Sequence, residues 1–247
     1  MKNNSILFAL TLIFLTACSS FNPFEDEGEY VEKRVEISGV TSIENLNTFQ
    51  IQLVQDNEEY IIFKGGENLI SKVKHTTSNE LLKIDHSYNN NARNFDLIIA
   101  EIHLRNLNKI KCSAPAKISS ENQLNGEHLD IIIISESELV EMDLNIDYKS
   151  MKFHSYGNAT GGYEFSGSCP NAHYILNGVI NIKAGNLQTS NTHLVQNGIG
   201  EARVWVEDKL KATIYSSGDI YYKGSPVIEI NRVQVNNQSP VAKVIPE

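Results

Sequence analysis

The sequence predicts an all-β fold, a parallel β-helix (solenoid) with about 20–21 residues per coil, and three observations predict it. Gly157, Gly178, Gly198 and Gly218 recur at intervals of 21, 20 and 20 residues. Each closes a short run of β-type residues (MKFHSYG, HYILNG, HLVQNG, KATIYSSG), and two weaker copies precede them, KIKCSAPA from Lys109 and IIIISES from Ile131. Helix signals are poor: no segment longer than ten residues keeps a 3.6-residue period with caps, while Val, Ile, Thr and Tyr runs alternate with Gly, Asn and Ser.

Phase supports the period. Counting back from each closing position gives Cys112, Ile133, Phe153, Tyr174, Leu194 and Ile214, all able to pack inside. Alternation along a strand puts Ser113, Ile134, His154, Ile175, Val195 and Tyr215 on the opposite, outward face. At ~3.3 Å per residue, 20 residues trace a perimeter of roughly 66 Å, enough for a flattened or triangular coil. One such coil buries too little to stand alone, so stacking must hold it and both ends need caps. Asn177-Gly178 and Asn197-Gly198 suit corners with positive φ.

Residues 31–104 are less regular. Phe49-Gln50-Ile51-Gln52-Leu53-Val54 alternates, and Tyr60-Ile61-Ile62-Phe63 runs into Gly65-Gly66. Leu81-Leu82-Lys83-Ile84 and Phe95-Asp96-Leu97-Ile98-Ile99 read as strands around a polar loop, residues 88–94. These strands are expected to form the opening coils and cap that end. No composition shift divides the chain.

The start of the chain reads as an address. Lys2 precedes an apolar run of ten, Ile6 to Leu15, half of the ~20 residues that span a bilayer. Leu15-Thr16-Ala17-Cys18 follows and is similar to a bacterial lipobox. That resemblance implies a signal peptide over residues 1–17 and lipidation of Cys18 as the mature N-terminus. Ser19 in place of Asp favours the outer membrane. Residues 18–34 then form a tether, with an acidic cluster (Glu25-Asp26-Glu27-Gly28-Glu29) resembling the surface-export signal of Bacteroidetes lipoproteins or serving as a solvated linker. The domain proper occupies residues 35–247.

The repeats also carry a family resemblance. The Phe-x-Ile-x-Leu opening with its Gly-ended strand (residues 49–65), the Leu104-x-x-Leu107-x-x-Ile110 lead-in, and Ala212-Thr213-Ile214-Tyr215-Ser216-Ser217-Gly218-Asp219-Ile220-Tyr221-Tyr222-Lys223-Gly224-Ser225-Pro226 resemble the head GIN domain family of autotransporter adhesin heads. Cys112-Ser113-Ala114-Pro115, Ser135-Glu136-Ser137 and Asn236-Asn237-Gln238-Ser239 depart from its Ser-Gly closings. The resemblance implies a right-handed parallel β-helix placed at the envelope or surface, with adhesion surmised.

Net charge is −9, or −10 without a leader containing Lys2, and no basic patch with interleaved aromatics argues for nucleic acid. Cys112 and Cys169 fall on different coils, roughly 10 Å apart along the axis at ~4.8 Å per coil, so two free buried thiols are expected. His173 and His193 share an outward phase, with His154 nearby. Lys152 and Thr213 in that row supply no third ligand, so stacked imidazoles rather than a metal site are expected. Asp143 and Glu164 precede their glycines by equal distances, the pairing a glycosidase would use, against a default of solvated acids. Tyr156, Tyr221 and Tyr222 suggest an aromatic strip for sugar rings. The outward row Ile134, Ile175, Val195, Tyr215 calls for a cover, from the N-terminal strands or from a partner or second copy. No catalytic residue, metal or cofactor is assigned. The expected function is a non-enzymatic, lipid-anchored binding protein for glycan or protein. A periplasm-facing structural or stress-response component is the alternative, and a polysaccharide-acting enzyme stands behind both.

Overall fold

A computed structural model describes residues 26–88, 96–137 and 139–247. They build a β-solenoid of about six turns. Cys18 and most of the polar loop at residues 88–94 lie outside the described residues.

Two faces of the solenoid carry most of the strands. The first begins with β2 (Ser42–Asn45), β8 (Lys109–Cys112) and β10 (Leu124–Ile133). The second begins with β3 (Phe49–Gln55), β9 (Ala116–Ser120) and β12 (Thr160–Ser168). Three long strands bend round a corner and serve both: β11 (Leu139–Ser155), β14 (Val179–Gln196) and β15 (Ala202–Ile214). β13 (Asn171–Leu176) and β17 (Val227–Arg232) complete the first face; β16 (Ile220–Lys223) and β18 (Val244–Pro246) complete the second. All these pairings are parallel, each strand lying on its counterpart one coil away.

The N-terminal end is built differently. β6 (Leu81–His86) and β7 (Ile99–Leu104) add an outermost parallel coil over β2 and β3. Antiparallel strands then close it: β5 (Val73–Ser78) on β6, and β4 (Tyr60–Gly66) on β7 with β1 (Tyr30–Glu36) beyond. A single helical turn, α1 (Glu67–Ile70), buries Leu69 and Ile70 beneath the cap. The strands therefore open and cap the stack, as expected. The strand expected at residues 95–99 instead starts at Ile99, which pairs with Gln50; Phe95 lies outside the described residues.

The inward columns differ in detail from the expected one. On the first face Ile110, Ile131, Phe153, Tyr174, Leu194, Ala212 and Ile230 stack. Cys112 and Ile133 share a neighbouring column, which continues through Ser155, and Ile214 lies on Gln196. The expected column thus mixed two adjacent rungs of one face. Unequal coil lengths are the cause: successive members of the first column are 21, 22, 21, 20, 18 and 18 residues apart.

Core size follows coil length. The longer coils enclose fully buried Phe153, Tyr163, Phe165 and Tyr174, with Phe153 and Tyr163 edge-to-face at 4.6 Å. The shorter ones enclose no buried aromatic ring among the described residues, only aliphatic side chains such as Ala202, Val204, Leu210, Ala212 and Ile214. Tyr148 is also buried, its hydroxyl donating to the Leu107 carbonyl at 2.7 Å. At the last coil the inward Ile228 and Ile230 remain 38% and 46% exposed, because among the described residues β17 pairs only with β15 and no further coil lies over it.

Glycine marks the corners for two reasons. Gly178 has φ +81°, and a Cβ there would stand 2.2 Å from the Ala159 carbonyl oxygen. At Gly198 φ is not positive, but a Cβ would meet the Gly178 carbonyl oxygen at 2.3 Å. Asn197 Nδ2 donates to Asn177 Oδ1 at 3.1 Å, so the asparagines tie successive corners together. Among the described residues no helix is long and apolar enough to cross a membrane.

Candidate binding faces

Strand alternation sends every second side chain of the first face outward, and parallel register lines these up coil over coil. One column reads Lys109, Asp130, Lys152, His173, His193, Lys211, Glu229. Beside it run His128, Ser150, Asn171, Asn191, Lys209 on one side, and Ile132, His154, Ile175, Val195, Thr213 on the other. The expected neighbours His173 and His193 do stack, ring centroids 4.6 Å apart and 7° from parallel. His154 belongs to the next column, with Thr213, and stacks on Tyr156 at 3.8 Å.

Hydrogen bonds organise the floor. His128 Nδ1 lies 2.9 Å from Ser150 Oγ, and Asn191 Nδ2 donates to Asn171 Oδ1 at 3.4 Å. The Nε2 atoms of His173 and His193 are shielded from solvent and have no hydrogen-bond partner among the described residues. Burial pushes His173, His193 and His154 below the ordinary imidazole range. His193 and Lys152 add to the effect at His173, Lys211 adds at His193 and Lys152 adds at His154. Together the two polar columns enclose a depression of about 340 Å³. Among the described residues no three His, Cys, Asp or Glu side chains are placed to share a metal ion.

The second face carries the acid pair. Asp143 and Glu164 are register partners on β11 and β12, and Lys183 follows Glu164 in the same column. Lys117 pairs with Glu141 at 3.6 Å in the adjoining column, where Gly162 leaves an open gap. These residues border a depression of about 410 Å³. Both acids are exposed, whereas a glycosidase divides its acid and base roles through unequal environments. Further along, Arg203 lies over the Tyr221 ring at 4.1 Å and Lys223 over the Trp205 ring at 3.9 Å.

The tyrosine strip does not form. Tyr156 belongs to the first face, Tyr221 to the second, and Tyr222 packs partly against the core. Nor do the N-terminal strands cover the outward apolar row, since β2 joins β8 edge to edge at the end of the stack. Ile134, Ile175 and Val195 are half-buried by their own neighbours, while Tyr215 is exposed. Cys112 and Cys169 are free and buried, and burial raises the Cys112 thiol to about 12 and the Cys169 thiol to about 11.

One polar cluster was not foreseen. At the N-terminal end Lys64 Nζ lies 2.6 Å from Glu101, whose other oxygen is 3.0 Å from His103 Nε2. His103 Nδ1 reaches Asp56 at 3.1 Å, and Tyr60 stacks on the imidazole at 4.0 Å beneath the Arg34 guanidinium. Lys64 holds Glu101 below the usual carboxylate range, and the His103 hydrogen bond does the same to Asp56. The only local signal was Glu101-x-His103, two residues apart on one strand face.

Parallel coils with in-register outward ladders define the class: a β-solenoid that displays surface columns. The chain belongs to the family described as "Putative auto-transporter adhesin, head GIN domain", whose pattern matches residues 40–226. Solved structures share the fold. A putative adhesin from Bacteroides fragilis NCTC 9343 is 21% identical with a TM-score of 0.76, covering 89% of this chain and 97% of that one. One from Parabacteroides merdae ATCC 43184 is 20% identical with a TM-score of 0.65, over 89% and 97%. A protein from Parabacteroides distasonis ATCC 8503 described as a putative lipid binding protein is 16% identical with a TM-score of 0.64, over 89% and 97%. No curated protein matches the sequence.

Proposed function

We propose that this chain is a non-enzymatic binding protein, held by a lipid on Cys18 to the outer membrane and presenting its first face to a glycan or protein. The observation that carries the reading is the ladder itself. Polar groups recur in register from His128 to Lys209 and from Lys109 to Glu229. At ~4.8 Å per coil, such spacing suits a polymer better than one small molecule. Membership of an adhesin-like family supports a binding role.

Binding is tested on a glycan array with the purified domain, paired with an assay for cleavage of the glycans retained. Retention without cleavage supports the proposal; cleavage abolished by Asp143→Asn or Glu164→Gln would favour hydrolysis on the second face. Anchoring is tested by palmitate labelling of the full chain, which Cys18→Ser should abolish. Protease shaving of whole cells then separates surface display from a periplasm-facing component, which would be protected.

A further inference from the structure

We infer that the first-face depression is a subsite for an acidic polysaccharide, with Lys152 as its standing cation and the His173 and His193 imidazoles as cations recruited in mild acid. This rests on the binding role proposed above and names the ligand class.

The argument begins with charge placement on a chain of net charge −9. Lysines around this face are committed to acids: Lys109 to Asp130 at 3.7 Å, Lys149 to Glu127 at 2.8 Å, and Lys209 and Lys211 to Glu229 at 2.9 and 3.8 Å. Lys152 makes no ion pair with any described residue. The central column therefore has acids only towards its two ends, Asp130 and Glu229, and Lys152, His173 and His193 in the middle. The adjoining column offers neutral hydrogen-bonding groups, Ser150 and Asn171, suited to hydroxyls.

The imidazole pair explains why an anion would be welcome. The rings lie face to face, with both Nε2 atoms shielded from solvent and without a partner among the described residues, so the protonated pair would draw an anion by its charge. Protonating both places two like charges 4.6 Å apart, close to Lys152 on one side and Lys211 on the other. His154 and Lys152 on β11 and His193 on β14 face His173. Lys211 on β15 and Glu229 on β17 face His193, and Asp130 on β10 faces His154. Apart from Asp130 and Glu229, these neighbours oppose a further positive charge. A bound carboxylate or sulfate would offset that repulsion, so binding and protonation should reinforce each other. A flat membrane fits less well, because the flanking Ile175 and Val195 are half-buried rather than projecting.

Titration calorimetry of the intact domain with heparin and with polygalacturonate, at pH 7.5 and 5.5 and constant low salt, tests this; neutral dextran and anionic phospholipid vesicles are the controls. Binding should tighten at least tenfold at the lower pH. Lys152→Ala should weaken it about tenfold at both pH values, and Lys152→Arg should restore it. His173→Gln/His193→Gln should remove most of the extra affinity at pH 5.5 and leave that at pH 7.5, whereas His128→Gln, at the rim of the same depression and bonded to Ser150, should remove little of it. Each variant is first checked for an unchanged melting temperature at pH 7.5, where the imidazoles are neutral in both states; these side chains point outward, and the Arg and Gln variants keep their bulk. No polyanion binding at either pH, binding indifferent to these variants, or tighter binding to vesicles would overturn the inference. Retention of a neutral glycan in the array would leave the general binding role standing.

Discussion

The coil stack and the N-terminal end hold themselves together by different means. In the stack every inward side chain lies over one of the same phase, so Phe153, Tyr174 and Leu194 form a continuous apolar column. At the N-terminal end β4 runs against β7, and specific charges tie Lys64 of β4 to Glu101 and His103 of β7, with Asp56 beyond them; where β2 lies parallel between β6 and β8, Glu44 joins Lys83 and Lys111. Burial opposes the charge on Glu44, yet hydrogen bonds from Lys111 and Ser113 outweigh it and keep its carboxyl below the usual range. A repeating backbone leaves its inward side chains only size and polarity to supply. A reversing backbone needs partners chosen one by one.

The sharpest way to break this contrast is Ala212→Asp. Ala212 is fully buried between Leu194 and Ile230, so the new carboxylate has no partner. A loss above ~4 kcal/mol is expected, with the C-terminal coils unfolding first; unchanged melting and unchanged protease resistance would refute the register. Gly178→Ala comes next. Its positive φ and blocked Cβ predict a loss of about 2–3 kcal/mol. Gly162→Ala, whose Cβ meets nothing within 4 Å, should stay within about 0.5 kcal/mol of the parent in the same denaturant titration.

At the N-terminal end Glu101→Gln should remove about 1–2 kcal/mol, moderated because Glu101 is one-fifth exposed. Hydrogen exchange should quicken in β4 and β7 and hold in β13 and β14; uniform quickening would deny the two regions separate stabilities. A modest effect is expected on pH dependence. Folded pKa values of His154, His173 and His193 lie below the unfolded value of 6.5. Their contribution is therefore complete above that pH and declines as pH falls below it. Melting temperature should drop by a few degrees between pH 7 and 5, and His173→Gln/His193→Gln should flatten the drop. A rise on acidification would contradict the burial of these rings.

Much of the stack was legible because the closing glycines and strand alternation are local signals. They identified the inward face, the His173–His193 neighbours and the Asp143–Glu164 pair, each pair on adjacent coils of nearly equal length. They could not identify the rung: a shift of two residues keeps every side chain on its face, so Cys112 and Ile133 looked equivalent to Phe153. The His128–Ser150 contact was hidden by a 22-residue coil. The His103 cluster was hidden more deeply, since Asp56 lies 47 residues away and meets it through the parallel pairing of β3 with β7, while Lys64 arrives on the antiparallel β4.

The taper of the interior has an evolutionary consequence. Where Phe153 and Tyr174 fill a long coil and Ala212 a short one, the turns are not interchangeable parts. Duplicating or swapping a coil would carry a core of the wrong girth into its new neighbours. Diversification should therefore proceed by exchanging outward residues in place, and each coil should keep its position along the axis while its surface changes.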